Sequence, residues 1–353
     1  MKKHYLSVFL LCIASASTGL LSSQESDLQK EIAKIIRYEV NINFELVPGL
    51  LIGVIDEDST YTFSVGEKQN KHDPYEMGSV TKPVIAWLTN LALDSLGWTS
   101  ETKVCAFLPD SLCKHGWELL TIEQLLTHRA GLIRLPPGIG EAEVNMDDPY
   151  AGYDIEALAR DMKLIYPKPG TYSYSHVNYM VLHWLFDRVG GLDYFFEKKL
   201  IHPLSLYQSG FDIPDDQMAS GHGRNGAVTT LWHCNALSPA LGLRSGLLDL
   251  VSFVRYISPD LIKHAPKWSS GKEKEMEKQI KGGVYDVVDG WFLVPERDTW
   301  IFYHNGFTGG HHVSIAFIPE KQIGAIVIAN SSIGSGELSI LILEMLHRGK
   351  AKK

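Results

Sequence analysis

Apolar positions recur at helical spacing over residues 27–42 (DLQKEIAKIIRYEVNI) and predict a first amphipathic helix. The next stretch, GLLIGVIDEDSTYTFSVGEK (49–68), reads as two strands around an Asp-Glu-Asp-Ser turn. A long apolar helix then opens within EMGSVTKPVIAW (76–87) and runs to about Leu96. From about 98 to 280 the texture is helical and rich in loops. Within it, TIEQLLTHRAGL (121–132) predicts a helix with Thr121 and Gln124 spaced as a capping box and Gly131 as its left-handed stop. The Pro/Gly/acidic stretch 134–154 predicts a long loop, a length that often belongs to lids. The charged run 267–283 reads as a solvated helical insertion. Strand patterns return in DGWFLVP, TWIFYHNG, HHVSIAFIP and IGAIVIANSS, and GELSILILEMLHR closes the chain as an amphipathic helix.

Strands at both ends with helices between them predict an α/β chain. Its antiparallel β-sheet is completed by the C-terminus, is flanked by N- and C-terminal helices, and carries an inserted, mostly α-helical domain. The expected division is residues 24–97 with 281–353 for the sheet domain and 98–280 for the helical one, with the active site between them. The 353 residues carry a formal net charge of −8 with no basic block, which argues against a nucleic-acid partner. Lys2, Lys3 and His4, the apolar run Tyr5 to Ile13 and the small residues Ala14-Ser15-Ala16 read as an export signal over residues 1–23. The expectation is a periplasmic or secreted protein with no stable membrane span after signal removal. In an oxidising compartment Cys105 and Cys113 could pair, leaving Cys234 buried and unreactive.

Candidate chemistry centres on Ser79 and Lys82. Ser-x-x-Lys occurs four times in this chain, so the motif alone says little. Only Ser79/Lys82 opens a long apolar helix, and Pro83 sharpens the point. A proline inside a helix clashes with the carbonyl four residues back, here that of Ser79, so the helix must begin near Ser79. Ser79 and Lys82 then lie one turn apart on one face, beside the unpaired N–H groups of the helix start. Two readings stand on this stretch: Ser79 as an N-cap, worth about 1 kcal/mol, or Ser79 as a nucleophile with Lys82 as its partner. For Lys82 to act as a base its pKa must fall by roughly three units, about 4 kcal/mol of environment. Without that fall, Lys82 acts electrostatically and a tyrosine takes the proton.

Three further stretches join Ser-Val-Thr-Lys in a common order: LLTHRAGL (125–132), PGTYSYSHVNYM (169–180) and YHNGFTGGHHVSIAFIPE (303–320). Together, with LGLRSGLLDLVSFVRY (241–256), they resemble the serine β-lactamase-like hydrolases, a superfamily of class C β-lactamases, DD-peptidases and esterases. The resemblance covers roughly residues 30–345 and implies a β-lactamase/transpeptidase-like fold. It implies an acyl-enzyme on Ser79, deprotonation assisted by Lys82, and proton relay by Tyr174. It places the oxyanion between the backbone N–H groups of Ser79 and Phe307, and the substrate against His176, His304, Asn305 and Gly306. Taken singly, Tyr174 also fits a core tyrosine and His304 a satisfied strand histidine, while His128 reads as structural.

Two departures qualify that expectation. His176 stands where the family's Tyr-x-Asn carries asparagine, and His304 stands where β-lactamases carry lysine. Neutral imidazole lacks a permanent charge for a substrate carboxylate, which lowers the expectation of efficient β-lactamase activity. It leaves an ester or D-amino-acid peptide or amide as the expected small-molecule or peptidoglycan-type substrate, with β-lactamase proper or a non-catalytic cell-wall peptide or partner-binding relative as alternatives. No cofactor and no metal are expected. Gly-x-Ser-x-Gly and His-Glu-x-x-His are absent, and adjacent His311 and His312 would point to opposite faces of a strand.

Overall fold

The structure is a computed structural model that describes residues 23–40, 42–67, 69–139, 147–266, 286–334 and 336–350. The expected export signal up to residue 22, the charged run 267–283 and positions 140–146 of the long loop lie outside the described residues.

In chain order the strands are β1 (Gly49–Asp56), β2 (Ser59–Gly66), β3 (Tyr75–Glu76), β4 (Ser209–Gly210), β5 (Arg244–Ser245), β6 (Asp286–Val288), β7 (Trp291–Glu296), β8 (Thr299–Phe307), β9 (His312–Ile318) and β10 (Ile323–Ala329). Seven form one sheet in the order β2-β1-β10-β9-β8-β7-β6, with every neighbouring pair antiparallel. The first hairpin thus joins the last strand inside the sheet, with Leu50 opposite Ala329 and Asp56 opposite Ile323.

Side-chain parity explains why β1 is apolar from Gly49 to Ile55 rather than alternating. Leu50, Ile52 and Val54 pack with Ile32 and Ile36 of the helix Ser23–Tyr38 and with Leu338 and Ile342 of the helix Glu337–Lys350. Leu51 and Ile55 join the opposite core, which includes Leu247, Leu250 and Val251 of the helix Leu247–His264. Both faces are covered, so both parities must be apolar. Each such side chain contributes about 1.5–3 kcal/mol of burial. Gly53 marks the closest approach, because a Cβ there would come 2.9 Å from Leu247 Cδ1.

The helical part lies between β3 and β6 in the chain. As expected, the helix Ile122–Leu126 starts with a capping box, in which Thr121 Oγ1 accepts from the Gln124 N–H and Gln124 Oε1 from the Thr121 N–H. It ends earlier than expected. His128, not Gly131, makes the first left-handed turn, at φ 57°. The turn carries the His128 ring into the interior, where Nδ1 meets the Ser175 N–H at 3.2 Å and Asn178 Nδ2 at 2.8 Å. Gly131 serves a different need: a Cβ there would strike the Lys168 carbonyl oxygen at 2.4 Å. A second, three-stranded sheet of order β3-β5-β4 ties the segment before Ser79 to Arg244 and Ser245. Cys105 and Cys113 are paired, their Cα atoms 5.6 Å apart, and Cys234 is free and buried. Among the described residues, no helix is long and apolar enough to cross a membrane.

Candidate active site

Ser79 sits in a single 3-10 turn, Gly78–Val80, that runs into the helix Thr81–Leu96. Pro83 falls in that helix's first turn, where its missing N–H removes no hydrogen bond. Val80 takes the N-cap position and no side chain caps the helix. The capping reading of Ser79 therefore fails. Its hydroxyl is instead held 3.1 Å from Lys82 Nζ and in a hydrogen bond with Tyr174.

Lys82 is wholly buried, and its Nζ meets three partners: Ser79 Oγ at 3.1 Å, His176 Nδ1 at 3.1 Å and the Ala240 carbonyl at 2.9 Å. Burial first, and then the nearby Arg134 charge, push its pKa well below the ordinary lysine value. A neutral amine has two N–H bonds and one lone pair. Donating to Ala240 and to His176 Nδ1 leaves the lone pair for the Ser79 O–H. The arrangement suits a base and supplies the depression that the sequence demands.

Tyr174 moves the other way. Burial raises its hydroxyl to about 12, against smaller lowering by the Ser79 bond and Arg134. It keeps its proton at neutral pH and is built to donate. A raised tyrosine and a depressed lysine on one serine separate acid from base by environment. The Tyr174 ring is enclosed by His128, whose ring centroid is 4.4 Å away, by Phe292 at 5.9 Å and by the Arg134 guanidinium at 5.3 Å. Burial and the neighbouring cations push the His128 and His176 imidazoles well below their usual range, so both are neutral.

The end of β8 forms the other wall. A Cβ on Gly306 would lie 2.1 Å from the Met77 carbonyl oxygen and 2.6 Å from Ser79 N, and one on Gly78 (φ +51°) would lie 2.8 Å from Phe307 N. The Ser79 and Phe307 amides thus belong to two backbones in van der Waals contact. His304 shares the inward face. It is stacked on Phe292 at 4.8 Å, and Nδ1 lies 2.8 Å from the Asn305 carbonyl. Burial holds it down at about 3, so Nδ1 carries the proton and the buried Nε2 can only accept. Asn305 departs from expectation. Strand alternation turns its side chain to the opposite face, against Gly336 and Tyr303, and only its carbonyl serves the site. Phe307 is 54% exposed and forms a lip.

Residues 44–344 match the family model described as Beta-lactamase. The chain belongs to the β-lactamase family. It is 23% identical over 328 residues to "Unguisins hydrolase ungD'" of Aspergillus campestris, covering 82% of this chain and 59% of that protein. It is 21% identical to a β-lactamase of Escherichia coli K12, covering 92% of this chain and 93% of that protein. A class C β-lactamase crystallised with cefoxitin superposes with a TM-score of 0.73 at 18% identity, covering 92% and 99% of the two chains. The chain spans 46–62% of the length of the fungal hydrolases it matches. The fold is the β-lactamase/transpeptidase-like one, an antiparallel sheet with helices in the mixed α/β class.

Within this β-lactamase-family site, several residues carry no clear signature in the sequence. Glu76 is buried three residues before Ser79 and ties three segments together. Its carboxylate accepts from the Trp232 N–H at 2.6 Å and the Thr308 hydroxyl at 2.7 Å, and meets His311 Nδ1 at 3.0 Å. Thr308 directly follows Phe307, so this carboxylate holds the turn that presents the Phe307 amide. A lone acid between buried Tyr75 and Met77 was the available clue. His311 points inward to Glu76, and among the described residues no cluster of metal-ligating side chains occurs. Arg134 had no such clue, since it stands in a loop reached only through the fold.

Proposed function

We propose that this protein is an exported serine hydrolase that forms an acyl-enzyme on Ser79 and cleaves an ester or a D-amino-acid peptide or amide. The observation that carries the reading is the buried Lys82 amine, with two acceptors for its two N–H bonds and its lone pair left for Ser79. As Ser79 Oγ attacks the carbonyl carbon, Lys82 takes its proton. The carbonyl π pair becomes an oxyanion that accepts from the Ser79 and Phe307 amides. Collapse breaks the bond to the leaving group, which takes the Tyr174 proton; Tyr174 then recovers one from the Lys82 ammonium beside its ring, 5.2 Å from the ring centre, and both groups return to their starting states. A water then repeats the sequence in reverse and releases Ser79. The paired Cys105 and Cys113 support the export part of the reading, since disulfides persist in oxidising compartments.

The neutral His304 weighs against efficient β-lactam turnover through the usual third-motif cation. The test is a panel of a 4-nitrophenyl ester, a D-Ala-D-Ala peptide and penicillin, each given to wild type and Ser79→Ala with intact mass followed over time. Ser79-dependent turnover of ester or peptide is expected. Rapid consumption of penicillin through a transient adduct would make the protein a β-lactamase proper. Turnover of none of the three, with no adduct, would favour a binding role.

A further inference from the structure

We propose that Arg134 is the substrate-recognition cation of this site and binds a carboxylate carried by the substrate. The inference rests on the acyl-enzyme reading and adds the chemical class of the substrate.

Three observations place Arg134 there. Its backbone is sewn to the Tyr174 segment by successive bonds: the Ser173 hydroxyl donates to the Leu132 carbonyl at 2.7 Å, the Ser175 hydroxyl to that of Ile133, and the His176 N–H to that of Arg134 at 2.9 Å. A loop tied so closely presents its side chain from a fixed origin. The side chain is exposed and carries its guanidinium to 5.3 Å from the centre of the Tyr174 ring. Half a phenol ring and one hydrogen bond separate that point from Ser79, so the guanidinium lies within roughly 11 Å of Ser79 Oγ. Finally, among the described residues Arg134 has no carboxylate partner, unlike Arg129, Arg244, Arg297 and Arg348.

Charge logic completes the case. Lys82 is occupied by Ser79, His176 and Ala240, and His304 is buried with its one N–H given to the Asn305 carbonyl. Neither can meet a carboxylate. Arg134 is permanently charged and presents a planar fork of donors that fits a carboxylate in two parallel bonds. Its position above Tyr174 lets one group serve two ends: it recognises the anion and, through its field, helps keep the buried Lys82 unprotonated.

Two matched ester pairs test this. One compares 4-nitrophenyl hydrogen glutarate with 4-nitrophenyl pentanoate, which places a carboxylate on the acyl chain. The other compares 3-carboxyphenyl with phenyl phenylacetate, which places it on the leaving group. Wild type is expected to favour the anionic member of at least one pair in kcat/KM by about ten- to hundredfold. That ratio should shrink as salt rises, collapse towards one in Arg134→Gln, and recover in part in Arg134→Lys. A ratio near one in wild type for both pairs, or a ratio that Arg134→Gln leaves unchanged, overturns the assignment of Arg134 and leaves the acyl-enzyme reading standing. Turnover of none of the four esters by wild type overturns both.

Discussion

Gly306→Ala isolates the contact between the end of β8 and the nucleophile turn. The added Cβ would sit 2.1 Å from the Met77 carbonyl oxygen and 2.6 Å from Ser79 N, and both obstacles are backbone. Real Cβ atoms essentially never come within 3.0 Å of such atoms, so the two segments must part by close to 1 Å. A misplacement of about 1 Å near the reacting centre costs about a hundredfold in rate. Loss of one oxyanion donor costs about 10²–10³ in kcat. The expected result is a kcat lower by two to three orders of magnitude, with a stability loss of about 1–3 kcal/mol for the overpacked contact. Ester hydrolysis reports the first and a denaturant titration the second. Gly152→Ala is the control, since nothing lies within 4 Å of its Cβ position. A folded Gly306→Ala protein with kcat within about threefold of wild type would refute the idea that β8 and the Ser79 turn build the oxyanion site together.

Lys82 is depressed by burial, so Ser79 labelling by a fluorophosphonate should slow as pH falls and the amine takes a proton. Lys82→Arg, which cannot shed its proton, should lose about 10²–10⁴ of the labelling rate; a flat pH profile would argue against a lysine base. His304 is held at about 3, against an ordinary value near 6.5, so its neutral form is favoured by folding. Its contribution is complete above pH 6.5 and is lost as pH falls towards 3, amounting to about 2 kcal/mol by pH 5. His304→Asn should remove that part of the acid sensitivity in denaturant titrations at pH 7.5 and 5, and an unchanged slope would contradict the burial argument. Glu76→Gln replaces the carboxylate that Trp232, Thr308 and His311 share by one amide oxygen, for an expected loss of about 1–3 kcal/mol. A change below about 1 kcal/mol, with kcat intact, would show that the network does not hold the Phe307 turn.

Much of the frame was legible because it is local. Pro83 dates the helix start, the stretch 49–68 announces two strands around a turn, and Thr121 with Gln124 announces a cap. The order of Ser79, Tyr174 and His304 along the chain pointed to one site, and the structure brings the three side chains around Lys82. The rest depended on distances between residues far apart in sequence. Nothing in residues 121–132 says that His128 turns inward, because its partners are Ser175 and Asn178. Nothing near position 134 says that an arginine lies over Tyr174. Asn305 was assigned to the substrate from its motif, and only the register of β8 reveals that its side chain faces away. The protonation states belong to burial, which sequence does not display.

The central claim is that Ser79 is the acylated nucleophile. The most direct measurement is acid quenching of the wild-type protein during steady-state turnover of a 4-nitrophenyl ester, followed by peptide mapping of the trapped acyl group. The expected result is an acyl group on the peptide carrying Ser79, absent from Ser79→Ala, with turnover abolished in that variant while its fold persists. An acyl group on another residue, or full turnover by a folded Ser79→Ala protein, would contradict it.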